Sequence, residues 1–408
     1  MKLVASLAIA LLFVGIDMYA QTSDWSVGVK GFVDTYHAMR TESPNDMMAS
    51  RSRVRGELTM KYNKVGTFAS ANLIHNAIVG AKTGLHMREC FVTYADDNWD
   101  IRAGRQIITW GVADALRLTD VVSPMEYTEF LADDYDDIRV PVGGLRVRYS
   151  RSAWSAEVVA LPISSFYILP TNDDNPWSIN LPDATMPYVI DIGQKPQKKI
   201  ANGEIGGRLM FFLSGIDFSL SALRTWNKMP VFTTNVVDDT LIARGRHRRM
   251  TMLGGDISIP ISKIVLRAEV AEYLDEAQTP VFGTVVQCAN SLNALVGIDW
   301  YAGNDWSLSA QYAHKSIAGH SPLISTYKNS GTATVRIAKE LFNNTLSVQT
   351  FAYIDVTCGG IYNRLSADYA VTDQLHCIIG YDLFSADSGM FAMYADNSEV
   401  WLRVKYNY

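Results

Sequence analysis

Three arginines alternate along one short segment, and their spacing is the clearest chemical signal in the chain. Arg51, Arg53 and Arg55 stand two residues apart, which in an extended strand places all three side chains on one face. Like charges in such a row repel one another unless an anionic group faces them. The row therefore predicts either an acidic counterpart elsewhere in the fold or a surface that attracts anions.

An acidic stretch farther along the chain is the candidate counterpart of this row. It follows Trp110-Gly111 and contains Asp120, Glu126, Glu129, Asp133, Asp134, Asp136 and Asp137. Its aspartate cluster lacks the ligand spacing of a calcium-binding loop, so we predict no metal site. Where the stretch faces the arginines, its carboxylates would supply the opposite charges. The charged residues that we single out as one candidate site are Arg51, Arg53, Arg55, Arg102, Arg146, Arg148, Asp120, Glu126, Glu129, Asp133 and Asp134.

The remaining reactive side chains do not indicate catalysis. The seven histidines are scattered, and none stands in a recognisable nucleophile motif. We therefore predict that the chain is not an enzyme and needs no cofactor. A formal net charge of −6 without a basic domain argues against a nucleic-acid partner. Of the four cysteines, Cys288 and Cys358 fall in predicted loops, and whether they form a disulfide is left open.

The polarity of the sequence alternates in a way that places these residues on strands. In segment 51–62 the odd positions are mostly charged and the even positions mostly apolar, which is the period of a strand and not of a helix. The chain ends with the same pattern: Leu402, Val404, Tyr406 and Tyr408 share one face, opposite Arg403, Lys405 and Asn407. Such segments recur from Trp25 onward, and the predicted fold is therefore all-β.

The connections between these segments alternate between short and long. Eight short turns carry turn-forming residues, and nine longer loops lie between them. This alternation predicts 18 antiparallel strands, with 16 as the alternative. The first strand, about Trp25 to Arg40, would pair with the last, because closure leaves no unpaired strand edge. The two longest loops are 109–138 and 163–202, and segment 116–128 in the first of them is a candidate short helix.

The N-terminal segment has the pattern of a secretory signal. Lys2 precedes the apolar run 3–16, which is too short to cross a bilayer, and Ala20 is a small residue placed for cleavage. We therefore assign residues 1–20 to a signal peptide. Residues 21–408 are expected to form a single exported domain.

Two segments of the chain resemble the porins of Gram-negative outer membranes. They are the C-terminal strand Trp401–Tyr408 and Gly104-Arg105-Gln106, which leads into the long loop 109–138. The resemblance implies a closed antiparallel transmembrane β-barrel with short periplasmic turns and long extracellular loops. It also implies that the loop 109–138 folds into the lumen opposite a basic ladder. There it would form the constriction of the channel, which the candidate site residues named above would line.

From this resemblance we expect a multi-pass channel of the cell outer membrane for passive or selective diffusion of small hydrophilic solutes. The alternative is a plugged barrel that acts as a binding or assembly component with a surface or periplasmic partner. The other expected partners are the lipid bilayer and lipopolysaccharide, and a homo-oligomer is compatible with the pattern. A basic run is a candidate to bind lipopolysaccharide phosphates or to attract anionic solutes, and a solvated junction between loop and strand is the simpler alternative; it consists of Arg244, Arg246, His247, Arg248 and Arg249.

Overall fold

In the computed structural model of the chain, the structure describes residues 20–22, 25–130, 135, 137–172, 174–179, 186–193 and 195–408. The predicted signal peptide thus lies outside the described residues, apart from its last position. Within the described residues, no helix is long and apolar enough to span a membrane.

Eighteen antiparallel strands form the barrel, and we number them β1 to β18 in chain order. The first nine are β1 Trp25–Arg40, β2 Met47–Tyr62, β3 Val65–Asn76, β4 Gly84–Ala95, β5 Trp99–Gln106, β6 Val142–Ser150, β7 Trp154–Leu161, β8 Glu204–Leu213 and β9 Ile216–Trp226. The others are β10 Arg249–Ile261, β11 Ile264–Gln278, β12 Gln287–Gly303, β13 Trp306–Ile317, β14 Asn329–Leu341, β15 Leu346–Asp355, β16 Ile361–Ala370, β17 Leu375–Ser385 and β18 Glu399–Asn407.

The sheet closes on itself. Each strand pairs with its neighbours in sequence, and β1 also pairs with β18 in a register that runs from Phe32 opposite Asn407 to Arg40 opposite Glu399. Every barrel strand therefore has a partner on both sides, as a strand in hydrocarbon requires. The predicted closed barrel and the preferred count of 18 strands are confirmed.

The connections differ in length at the two ends of the barrel. The eight turns at one end have two to four residues each, and the nine connections at the other end are longer. Left-handed backbone at Asn63, Asn304 and Asp305 fits tight turns made by residues that tolerate positive φ. The alternation read from the sequence is thus the alternation of the fold.

The two faces of the barrel have opposite polarity. Large apolar side chains point outward into open space, with Leu85 75% and Val296 62% exposed. Charged side chains point inward, and Arg53, Glu157 and Glu269 are at most 3% exposed. A soluble protein would reverse this arrangement, whereas a barrel in lipid requires it.

Aromatic side chains gather on the outer face near the short turns. Trp25 packs on Tyr62 with ring centroids 4.9 Å apart, and Tyr149 packs on both Trp99 and Trp154, at 4.8 and 5.8 Å. Rings with a polar edge favour the boundary between lipid and water. This belt therefore marks one border of the apolar zone.

The long connections carry structure of their own. Val231–Val237 and Thr240–Arg246 form a hairpin, and Tyr188–Asp191 pairs parallel with its second strand. The sequence had indicated only a loop here. Short 3₁₀ turns lie at Gly80–Lys82, Ile200–Asn202 and Ala392–Tyr394, and the short strand Ala20–Thr22 pairs with the start of β1.

The helix expected within segment 116–128 is absent, so that prediction was wrong. The backbone N–H of Thr119 donates to the side chain of Glu269, and that of Glu126 donates to the carbonyl of Ile138. Because distant groups accept these hydrogen bonds, the segment has no need of the local bonds of a helix.

Candidate constriction site

The connection between β5 and β6, residues 107–141, is here called the third loop. Its described residues contact inward-facing side chains of β2, β7, β11, β13 and β15. These strands are distributed around the ring, so the third loop reaches walls on different sides of the barrel. Its contacts determine where each predicted site residue lies.

The arginine row of β2 meets carboxylates of the third loop. Arg51 lies 2.7 Å from Glu129, and Asp137 lies 3.1 Å from Arg53 and 2.7 Å from Arg55. All three arginines are at most 8% exposed. The row thus has the acidic counterpart that like charges at this spacing require.

Further polar groups complete this interface. Asp34 of β1 binds both Arg53 and Arg403, each with a shortest separation of 2.7 Å. The amide groups of Asn72 and Asn76 bind Arg55 and Glu129. Buried ion pairs are stable only when such hydrogen bonds satisfy the remaining polar atoms, and removal of one partner typically costs about 3–5 kcal/mol. The interface therefore fixes this side of the loop.

A second anchor fixes the opposite side of the third loop. The carboxylate of Glu269 on β11 accepts hydrogen bonds from the backbone N–H groups of Val112, Ala113 and Thr119, and from the Thr119 hydroxyl. Gly111 is required beside it, because its φ is +82° and a Cβ atom there would lie 2.8 Å from a Glu269 oxygen. This close contact explains why a glycine follows Trp110 in the sequence.

Three more strands hold the same part of the loop. The indole N–H of Trp110 donates to Glu157 on β7 at 2.8 Å. Gln311 on β13 binds both backbone groups of Asp114, at 3.1 and 3.0 Å. The hydroxyl of Tyr353 on β15 donates to a carbonyl of the same stretch. Residues 110–119 are therefore fastened to the wall along their length.

Asp120 organises the centre of the third loop. Its carboxylate pairs with Arg117 and Arg139, and Arg117 also donates to the hydroxyl of Tyr167 at 2.9 Å. Burial by itself would lower the pKa of Arg117, but the neighbouring Tyr167 and Asp120 raise it above its ordinary value. Arg117 therefore stays charged, and Asp120 serves the internal structure of the loop.

Glu126 pairs with Lys82 and accepts a hydrogen bond from the hydroxyl of Thr128 at 3.0 Å. It thus ties the third loop to the 3₁₀ turn that precedes β4. Asp133, Asp134 and Asp136 lie outside the described residues.

An aromatic cluster joins the third loop to its neighbours. Phe130 stacks on Trp177 of the connection 162–203, with ring centroids 5.6 Å apart, and packs on Tyr394 of the connection 386–398 at 4.5 Å. Phe384 and Tyr362 on the barrel wall complete the cluster. Three long connections therefore share one apolar core at their end of the barrel.

The other predicted arginines lie on β5 and β6, away from the β2 row. Arg146 pairs with Asp100 at 2.8 Å and Arg148 with Glu157 at 2.6 Å, while Arg102 approaches Asp100 at 3.4 Å. The side chains of Arg102 and Arg148 are 35% and 34% exposed, unlike the β2 row. The predicted site residues thus divide into a buried group against the third loop and a group on β5 and β6, in which Arg146 is buried while Arg102 and Arg148 are more solvated.

A cavity of about 300 Å³ opens beside the third loop. Charged side chains of both signs line it, with Lys315 paired to Glu276 at 2.7 Å and Tyr273 donating to the carbonyl of Leu118 at 2.6 Å. Apolar side chains such as Met229 and Met250 line the rest of it.

Several important residues were not among those predicted for the site. Asp34 and Gln311 were overlooked. Glu157 and Glu269 could be recognised from the sequence only as acids on the inward face of a strand. The described cysteines are all free thiols, and Cys288 lies on β12 and not in a loop.

No family model and no curated protein matches the sequence. Among solved structures, OccK11 of Pseudomonas aeruginosa has a TM-score of 0.54 at 10% identity, over 96% of this chain and 99% of that one. OccD3 of the same species has a TM-score of 0.51 at 13% identity, over 93% and 91%. The chain has the fold of the outer-membrane porins. A Rh. blastica porin mutant is also similar, with a TM-score of 0.45 at 14% identity over 94% of this chain and 100% of its own.

Within this porin fold, the expected resemblance to porins is confirmed at the level of architecture. Identities this low carry no information about which solute passes.

Proposed function

We propose that this protein is an outer-membrane channel for the diffusion of small hydrophilic solutes, without a catalytic step. The observation that carries the proposal is a closed ring of 18 strands with an apolar outer face and a charged inner face. A ring of this size encloses more space than inward side chains fill, so water occupies the remainder.

We propose further that the third loop forms the constriction of this channel. The ion pairs with the β2 arginines and the hydrogen bonds to Glu269 support a fixed element, because many separate contacts would have to break before it moved. The aromatic cluster around Phe130 supports the same view. A fixed constriction gives a steady pore size, and not a gate that swings open.

A weak preference for anions is the finer part of the proposal. Its support is the exposure of Arg102 and Arg148, whose guanidinium groups are about a third open to solvent on the inner wall. Asp100 moderates their charge, while Glu157 beside them is 1% exposed. Charged groups on a pore wall select ions by their field, and in this patch the side chains of Arg102 and Arg148 are slightly more exposed than that of Asp100, which is 31% exposed.

Conductance in a planar lipid bilayer tests the proposal. We expect stable ohmic steps, and a reversal potential under a salt gradient that indicates modest anion selectivity. Silence of a correctly inserted barrel would instead favour a plugged scaffold that binds a partner. Insertion is checked separately, by the resistance of the folded barrel to SDS at room temperature.

A further inference from the structure

Two outward-facing arginines lie close together at the end of the barrel that carries the long loops. Arg224 is opposite Ile205 of β8 in the strand register, and Ile205 is 61% exposed on the outer face. Arg249 is opposite Trp226, two positions beyond Arg224 on β9. Both arginines are therefore on the lipid-facing side, and not in the lumen.

The described part of the chain places no carboxylate partner beside these arginines. Neither forms an ion pair with a carboxylate among the described residues. Glu204 is adjacent to Ile205 on β8. Glu204 points inward and is already paired with Lys228. A pair of like charges on an apolar face without a partner is unfavourable unless an anion joins it.

Hydrogen bonds and a ring contact hold Arg249 in a fixed position. The Arg249 guanidinium donates to the carbonyls of Ala201 and Gly203 at 2.6 and 2.7 Å, and lies 4.7 Å above the Trp226 ring. The indole N–H of Trp226 donates to the carbonyl of Asn202 at 3.0 Å. Three successive carbonyls thus fix the segment just before β8 against the arginine and the indole.

Two apolar side chains show what surrounds this site. Ile200, in the fixed segment, is 85% exposed, and Leu220, lower on the outer face of β9, is 57% exposed. Such exposure of branched side chains beside a tryptophan suits the border between acyl chains and polar head groups. The cations at this border are therefore at the depth of the head groups.

We propose that Arg224 and Arg249, the second of which is held over the Trp226 ring, bind the phosphate of an outer-leaflet lipid head group. Each guanidinium has five N–H donors. Arg224 gives one of them to Thr251, at 2.8 Å, and Arg249 gives two to backbone carbonyls. The remaining donors can bind phosphate oxygens in the two-point geometry that arginine favours. The proposal rests on insertion in the outer membrane, as proposed above.

The site differs from the basic run that the sequence indicated. Arg244 in that run pairs with Asp191 in the small sheet, and His247 binds the carbonyl of Asn227. Of the run, Arg249 alone belongs to the proposed site. Its partner Arg224 comes from another strand, so the run could not reveal the pair.

Native mass spectrometry of the detergent-solubilised full chain tests the proposal. The probes are diphosphoryl lipid A, its dephosphorylated form, phosphatidylcholine and inorganic phosphate. We expect the wild type to retain the phosphorylated lipid, and R224Q/R249Q to bind it at least about tenfold more weakly, since one lost charge-assisted contact is worth about that factor. R224K/R249K, which keeps the charges without the planar fork, should fall between them.

K339Q is the matched control, because Lys339 also faces outward and lies 5.4 Å above a tryptophan, Trp306, at the end with the short turns. It should retain the lipid as the wild type does. Equal retention by R224Q/R249Q, equal loss in K339Q, or equal binding of the dephosphorylated lipid would each overturn the proposal. Displacement of the lipid by millimolar inorganic phosphate would identify a free-anion site and overturn it as well. Conductance in phosphatidylcholine bilayers should be unchanged in R224Q/R249Q, so a failure of the lipid site is distinguished from a failure of the channel.

Discussion

The carboxylate of Glu269 accepts hydrogen bonds from both the backbone N–H and the hydroxyl of Thr119, at 2.6 and 2.9 Å. Thr119 belongs to the third loop and Glu269 to the barrel wall, 150 residues farther along the chain. Since the same carboxylate also holds Val112 and Ala113, one side chain positions two parts of the loop. The shape of the proposed constriction therefore depends on a residue outside the loop.

Replacement of Glu269 by Gln should loosen the third loop. The amide is neutral and brings its own N–H donors toward the backbone N–H groups, so buried donors lose their acceptor at about 1–3 kcal/mol each. We expect noisier single-channel currents and a larger mean conductance than in the wild type. The control is E272Q, because Glu272 is on the same strand but exposed on the outer face. Quiet currents of wild-type size in E269Q would show that the anchor is dispensable.

Replacement of Gly111 by Ala should disturb the same anchor from the loop side. The new methyl group would meet Glu269 and Thr119 oxygens at 2.8 Å, in addition to a left-handed backbone cost of about 1–2 kcal/mol. We expect excess current noise, as in E269Q. Gly215 offers a matched control, because its φ of +79° is similar and nothing lies within 4 Å of its Cβ position. If G111A and G215A behave alike, strain alone accounts for the effect.

The barrel could be predicted from the sequence because the forces that shape each strand act on residues close together in the chain. Lipid on one face and water on the other impose a period of two, so Trp25–Arg40 was predicted as the first strand and found with the same bounds. Turn residues such as Asn63 and Asn304 then marked the short connections. The hairpin within 227–248 was missed because it is not part of the barrel wall. Its strands therefore do not have one face toward lipid and the other toward water.

The contacts of the proposed constriction could be predicted from the sequence only in part. The row Arg51, Arg53 and Arg55 demanded an acidic partner, and Glu129 and Asp137 supply it. Spacing along the chain could not reveal the anchors, since Glu269 meets the loop across 150 residues and Gln311 across 197. Such contacts are set by the curvature of the closed sheet, which no local pattern encodes.

The two arginine groups should differ in their effect on the channel. Removal of the exposed charge in R102Q should shift the reversal potential toward cation selectivity, with little change in noise, because this group faces solvent and holds no part of the third loop. In R51Q/R53Q/R55Q, Glu129 and Asp137 lose buried partners, so the loop should move and conductance and noise should rise. The measurement is the current–voltage relation under a tenfold salt gradient. Unchanged currents in the triple variant would remove the role assigned to the buried row.

Acid should weaken the packing of His247 in the connection between β9 and β10. Burial lowers the pKa of His247 from its ordinary value of 6.5, the hydrogen bond to the Asn227 carbonyl opposes this, and the cations Lys195 and Lys228 reinforce it. Between the lowered pKa and 6.5 the unpacked state binds more protons, so the stability of the packed ring rises with pH and falls on acidification through this window.

The ring packs on Phe166 at 4.2 Å, so its release at low pH should expose segment 227–248 to proteases. We expect cleavage there to be faster at pH 5 than at pH 7.5, measured with a protease whose activity is matched at the two values. In H247Q, which keeps a hydrogen-bonding side chain but does not titrate, the rate should depend much less on pH. An equal pH dependence in H247Q and the wild type would assign the effect to other groups, because the only change between the two proteins is the group that titrates.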